Sequence, residues 1–98
     1  MSTVRIDRFT VEPQNAEKLV RHRNDLVEAV RAAAPGLLDT RLVKVDERTW
    51  VDMWRWDSLA SARAAAERAR AGGFPEAGAV FALADDVTTE FTEVVDER

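Results

Sequence analysis

The chain has no cysteine and no tyrosine, a single histidine, and only four glycines and three prolines in 98 residues. Without cysteine there are no disulfides, thiolate metal sites or cysteine nucleophiles. One histidine, His22, excludes His-rich metal sites and any site needing two imidazoles from one chain. Apolar stretches are far shorter than the ~18 residues that span a bilayer. The segment Met1-Ser2-Thr3-Val4-Arg5 lacks a signal-peptide core. A cytoplasmic protein away from membranes is therefore expected. The net charge of −4 and the scatter of the arginines among acids argue against nucleic acid, which calls for a basic face. There is no glycine-rich phosphate loop, nucleophile elbow, metal-ligand spacing or dinucleotide fingerprint. Gly72-Gly73 follows a helical segment rather than opening one, so it is no phosphate cradle. No cofactor and no metal are expected.

What remains is ordinary for a globular domain: 46% hydrophobic and 33% charged residues. A chain of this length buries roughly 60–65% of its unfolded surface, enough for one core, and residues 1–98 read as one domain. Residues 3–11 interleave apolar and charged side chains as a strand does, until Pro13 ends the pattern. Asn15 suits a helix N-cap. Apolar residues from Ala16 to Ala34 recur at helical spacing, and Pro35-Gly36 stops the helix, with Gly36 suited to a C-terminal cap. Residues 37–45 and 49–56 read as an antiparallel hairpin around Asp46-Glu47-Arg48. Ser58 caps a helix over 59–71, whose alanines and arginines are explained by helix propensity alone. Pro75 opens a short helix to Ala84, and residues 87–95 form the last strand. The order β-α-β-β-α-β implies an α+β, ferredoxin-like fold: a four-stranded antiparallel sheet with helices on one face.

Alternation in the third strand sets Trp50, Asp52, Trp54 and Trp56 on one face, and Val51, Met53 and Arg55 on the other. Val4 and Ile6 in the first strand point away from Phe9 and Val11, and Leu42 in the second opposes Val43 and Val45. A sheet with helices on one side and water on the other reads apolar-in, polar-out. Here both faces are apolar and the helices cover one. A homodimer is expected, because monomers rarely leave so large an apolar patch in water.

The whole chain resembles the antibiotic-biosynthesis-monooxygenase-like domain of the dimeric α+β barrel superfamily. The resemblance rests on Val11-Glu12-Pro13, on Ala34-Pro35-Gly36-Leu37, on Trp54-Arg55-Trp56-Asp57-Ser58, and on the short helix before the last strand. It implies a dimeric α+β barrel, two sheets face to face, with a pocket in each subunit. It also implies a cofactor-independent monooxygenase acting on a small aromatic or polyketide-type substrate. A non-catalytic dimeric module that binds a small hydrophobic ligand is the alternative. Some relatives degrade haem. Trp56 matches their pocket tryptophan and Asp7 falls near their strand asparagine, but their helix histidine has no counterpart in residues 58–71. Haem degradation is disfavoured on that ground.

Asp52, His22 and Asp7 are the candidate catalytic residues. Asp52 lies among the tryptophans, and burial there raises a carboxylate's pKa and fits it for base work. A solvated Asp52, or one paired with Arg41 on the neighbouring strand, is the structural alternative. His22 stands beside the apolar stripe, between Leu19 and Leu26 at i−3 and i+4, where packing competes with a role as general base. Trp54, Trp56, Phe9 and Arg41 are the candidate substrate contacts. The indoles offer rigid faces to a flat ligand and equally suit core packing. Trp50, just after the hairpin, reads as rim or interface.

Overall fold

The computed structural model describes residues 2–98. The chain runs through β1 (Thr3–Thr10), a 3-10 turn (Pro13–Asn15), α1 (Ala16–Ala33), β2 (Leu37–Lys44), β3 (Thr49–Trp56), α2 (Leu59–Arg70), α3 (Pro75–Phe81) and β4 (Asp85–Glu93). All pairings are antiparallel, in the order β2-β3-β1-β4. The architecture is thus α+β with the ferredoxin-like element order, and the helices lie over one sheet face. Among the described residues no helix is long and apolar enough to cross a membrane.

Local chemistry explains most boundaries. Asp46 Oδ1 accepts the backbone N–H groups of Arg48 (3.0 Å) and Thr49 (2.8 Å), which closes the β2–β3 hairpin. Those bonds to its ionised form hold the Asp46 carboxyl below the usual range. Ala34, ahead of Pro35, leaves the helical region at φ −129° and ends α1. Ser58 accepts the Ser61 N–H at 3.1 Å and caps α2.

Several expected details differ. Asn15 makes no side-chain cap. It ends the 3-10 turn begun by Pro13 and donates its backbone N–H to Glu12 (2.8 Å), so the turn itself feeds the chain into α1. Gly36 is no left-handed cap either. A Cβ there would lie 2.8 Å from the Ser61 side chain and 2.9 Å from Asp57 Oδ1, so the glycine lets β2 start against the head of α2. The left-handed glycine is Gly72, at φ +85°, just beyond α2. β4 starts earlier than expected, with Asp85 and Asp86 in the strand and Asp86 at φ 53°. Asp85 pairs with Thr10 beyond a register shift at Arg8–Thr10, where β4 carries the extra residue, and this extends the strand ahead of the expected start at Val87.

The core lies wholly on the helix side, in two clusters. Val27, Val30, Leu37, Trp54, Trp56, Ala62, Phe74 and Ala77 form one; Phe9, Val11, Leu19, Trp50 and Val80 form the other. Trp50 is 8% exposed, so it belongs to the core and not to a rim. On the opposite face Val4, Ile6, Val51 and Met53 are half-buried, Val43 is exposed, and no helix or strand among the described residues covers them.

Candidate functional site

A cavity of about 620 Å³ opens between the sheet and helices α2 and α3. Its floor follows from strand alternation and register. Asp52 on β3, Asp7 on β1 and Thr89 on β4 are direct cross-strand partners and form one row. Trp54, Arg5 and Phe91 form the next. All six line the cavity, with Trp56 and Phe9 on the flanks. The roof is set by small side chains. Ala62, Ala65, Ala66 and Ala69 repeat at i, i+3, i+4 and i+7, one face of α2 turned to the sheet. A methyl group fills little of the space between a helix and a sheet, so the alanine stripe leaves the cavity open. Propensity alone was thus too narrow a reading of this helix. Phe74, Ala77, Val80 and Phe81 close the α3 side.

Most of the wall is apolar, and its polar part is a set of charges held by geometry. Asp52 is 6% exposed and Arg23, from α1, is 8% exposed. Arg23 Nη2 donates to Asp52 Oδ1 at 2.9 Å and its Nε reaches both carboxylate oxygens at 3.3 Å. The guanidinium also lies 5.9 Å from the Trp54 ring centre, within cation–π range. Burial pushes the Asp52 carboxyl above the usual carboxylate range, and the Asp7 charge adds to this; bonding and attraction from Arg23 and the Trp54 side chain offset only part of it. Asp7 accepts from Arg5 Nε at 3.0 Å and Nη2 at 3.3 Å, and from the Thr89 hydroxyl. Arg5 in turn lies 5.7 Å from the Phe91 ring centre.

Of the seven side chains singled out from sequence, Asp52, Asp7, Trp54, Trp56 and Phe9 meet at this cavity. His22 does not. It is half-buried on α1, and the α1 residue reaching the cavity is Leu26, one turn on. Arg41 is also elsewhere. It pairs in register with Met53, which puts it on the opposite face of the sheet from Asp52, so the suggested Asp52–Arg41 pair is replaced by Asp52–Arg23. The residue missed was Arg23. Leu19, Arg23, Val27 and Val30 are all buried on α1 and follow helical spacing, so a charge standing within an apolar stripe was the available signal.

Among the described residues that line the cavity there is no His, Cys, Met or Tyr, the side chains that ordinarily ligate haem iron. Among the described residues no group of three His, Cys, Asp or Glu is placed to hold a metal ion.

Comparison with solved structures supports the same frame. The chain superposes on SnoaB from Streptomyces nogalater, a cofactor-independent oxygenase, in an Asn-to-Ala variant. That match has a TM-score of 0.79 and 20% identity, over 98% of this chain and 95% of the other. Rv0793 from Mycobacterium tuberculosis matches with a TM-score of 0.75 and 19% identity, over 99% and 98% of the two chains. An Arg-to-Ser variant of MhuD, with two manganese protoporphyrin IX molecules per active site, matches with a TM-score of 0.69 and 25% identity, over 98% and 97%. No curated protein matches the chain significantly. The sequence model of the family described as "Antibiotic biosynthesis monooxygenase" matches residues 3–74, from β1 to the residue before α3. With well over half of its length matched and the fold in agreement, the chain belongs to the antibiotic biosynthesis monooxygenase family.

Proposed function

We propose that the chain is a cofactor-independent monooxygenase and that its cavity takes a small planar aromatic or polyketide-type substrate. The carrying observation is the cavity itself: aromatic and alanine walls, with carboxylates confined to one row of the floor. Family membership and the likeness to SnoaB, a cofactor-independent oxygenase, support the reading. A flat ligand lying between α2 and the floor meets Trp54, Trp56 and Phe9 with its face and Asp52 and Asp7 with its polar edge. In such a reaction a carboxylate takes a proton from an activated CH₂ or hydroxyl group of the substrate. The substrate anion passes an electron to dioxygen, and the two radicals join through a new C–O bond. The O–O bond of that peroxide then breaks. For a CH₂ group, one oxygen stays as the carbonyl and the other leaves as water with the two protons, so dioxygen accepts all four electrons from the substrate carbon. The largely apolar wall limits the water that meets the anion.

One feature favours the alternative, a ligand-binding module without catalysis: both carboxylates already hold guanidinium partners. Dithranol and naphthalenediol distinguish the two. Quenching of tryptophan fluorescence reports binding, and an oxygen electrode reports turnover. The oxygenase reading expects both, with uptake lost in Asp52→Asn. Binding without any oxygen uptake leaves the module. Absence of both removes the cavity as an aromatic site. The same proposal includes a homodimer joined through the uncovered sheet face, where Val4, Ile6, Val43, Val51 and Met53 stand together.

A further inference from the structure

Asp52 is pressed from two sides by fixed charge. Across the strand pair stands Asp7, its direct register partner. Side chains at such positions have Cβ atoms about 4.5–5.5 Å apart. From α1 stands Arg23, itself buried and bonded to both Asp52 oxygens. Beside them on the floor of the cavity stands Arg5, which is bonded to Asp7. β2 contributes Leu42, the register partner of Asp52, and β4 contributes the Thr89 hydroxyl. The residues of α2 and α3 that line the cavity are apolar or glycine, apart from Arg70, whose guanidinium is exposed and held by Glu67.

We propose that Asp7, Asp52 and Arg23 form one unit. In it Asp52 is the cavity's proton carrier, Asp7 is a positioning charge that favours its protonated form, and Arg23 is the opposing charge that favours its ionised form. The step is a single proton transfer: a substrate C–H or O–H bond breaks and an O–H bond forms on Asp52. Arg23 holds the carboxylate toward the cavity and touches no substrate. Two opposed charges give Asp52 a proton affinity adjustable in either direction, which burial alone does not provide.

The unit rests on the cavity being the substrate site, but its test needs no substrate. Carboxyl carbon NMR of the intact, unliganded chain follows Asp52 through a pH titration. Asp52 is expected to titrate above an ordinary aspartate. Asp7→Asn should move its midpoint down, and Arg23→Gln should move it up, the second by about a pH unit or more. Arg23→Lys should return it most of the way. A merely structural Arg23 changes stability but does not produce opposite shifts at one carboxylate. If Arg23→Gln does not fold, Asp7→Asn and Arg23→Lys still decide. An Asp52 that titrates like a free aspartate and moves with neither variant overturns the unit. Opposite shifts without oxygen uptake leave the unit standing and remove the oxygenase reading.

Discussion

Asp52 carries the sharpest expectation at the scale of a residue. Its carboxyl is pushed up in the folded chain by burial, more than Arg23 offsets. An unfolded aspartate titrates near ~3.9. A raised folded value means that the folded chain prefers the protonated form. That contribution to stability is fully present below the unfolded value and is lost as pH rises through the folded one. Asp52→Asn mimics the protonated carboxyl and keeps an oxygen for the Arg23 N–H groups. It should match the parent chain near pH ~4 and become the more stable of the two toward pH ~7. Arg23→Met, by contrast, strands the carboxylate and should cost ~3–5 kcal/mol near neutrality. Urea melts at several pH values check both, and an Asp52→Asn variant that is less stable at neutral than at acid pH, relative to the parent, contradicts the sign. Trp56 serves two purposes. At 3% exposure it packs with Val27, Val30 and Leu37, and its ring also faces the cavity. Trp56→Ala should cost ~3–5 kcal/mol in denaturant melts. Trp56→Phe should cost much less, because the buried indole N–H has no hydrogen-bond partner to lose among the described residues. Legibility varied by residue for physical reasons. Asp52, Trp54 and Trp56 were placed by alternation, which needs no knowledge of neighbours. Arg41 required the β2–β3 register, and that shifts between Leu37 and Asp39. Arg23 was masked by its charge: helical spacing placed it in the stripe, while its side chain suggested solvent.

Whole elements were easier to read than their inner faces. β3 was legible to the residue because its alternation is unbroken and a hairpin turn and a helix cap bound it. The ends of β4 and α3 were not. Long-range pairing with β1 decides where β4 starts, and the segment after Phe81 leaves α3 before the local sequence turns polar. A pocket was implied by the family resemblance, but its roof was not legible in the residues of α2, for a related reason. An alanine-rich helix has high propensity whether or not it touches anything, and only its position over the sheet turns four methyl groups into a roof. That position yields a paired expectation. Ala62 lines the cavity at 1% exposure but also packs in the core cluster with Trp54 and Phe74, so Ala62→Leu overpacks that side and should cost ~1–3 kcal/mol. Ala66 faces the open cavity. Ala66→Leu should hold stability or raise it by ~0.5–2 kcal/mol, as cavity-filling changes do, while weakening binding of naphthalenediol at least tenfold. Equal stability losses in the two variants would mean that the space beneath α2 is not open.

The molecule as a whole has one covered sheet face and one bare one. On the bare face Val4, Ile6, Val43, Val51 and Met53 make an apolar centre, and Asp39, Arg41, Arg55 and Glu97 stand around it, with Arg55 bonded to both Asp39 and Glu97. An apolar centre within a charged rim is how protein interfaces are built. The rim also supplies both signs of charge, so a second copy can meet it without net repulsion despite the overall −4. A two-fold arrangement would place Met53 near the centre of the contact, because β3 is an inner strand of the sheet. The cavity lies on the other face of the sheet, beneath α2 and α3. Assembly and ligand binding should therefore separate. The parent chain is expected to sediment as a dimer of its 11.0 kDa subunit, with a melting temperature that rises with protein concentration. Met53→Asp buries a charge at the contact and should give a monomer whose melting temperature is lower and independent of concentration. That monomer should still quench its tryptophan fluorescence with naphthalenediol, because Trp54 and Trp56 remain in place under α2. A parent chain that is monomeric at micromolar concentration rules out the dimer. A Met53→Asp monomer that no longer binds would show that the second subunit completes the site, and that the cavity of one chain is not sufficient.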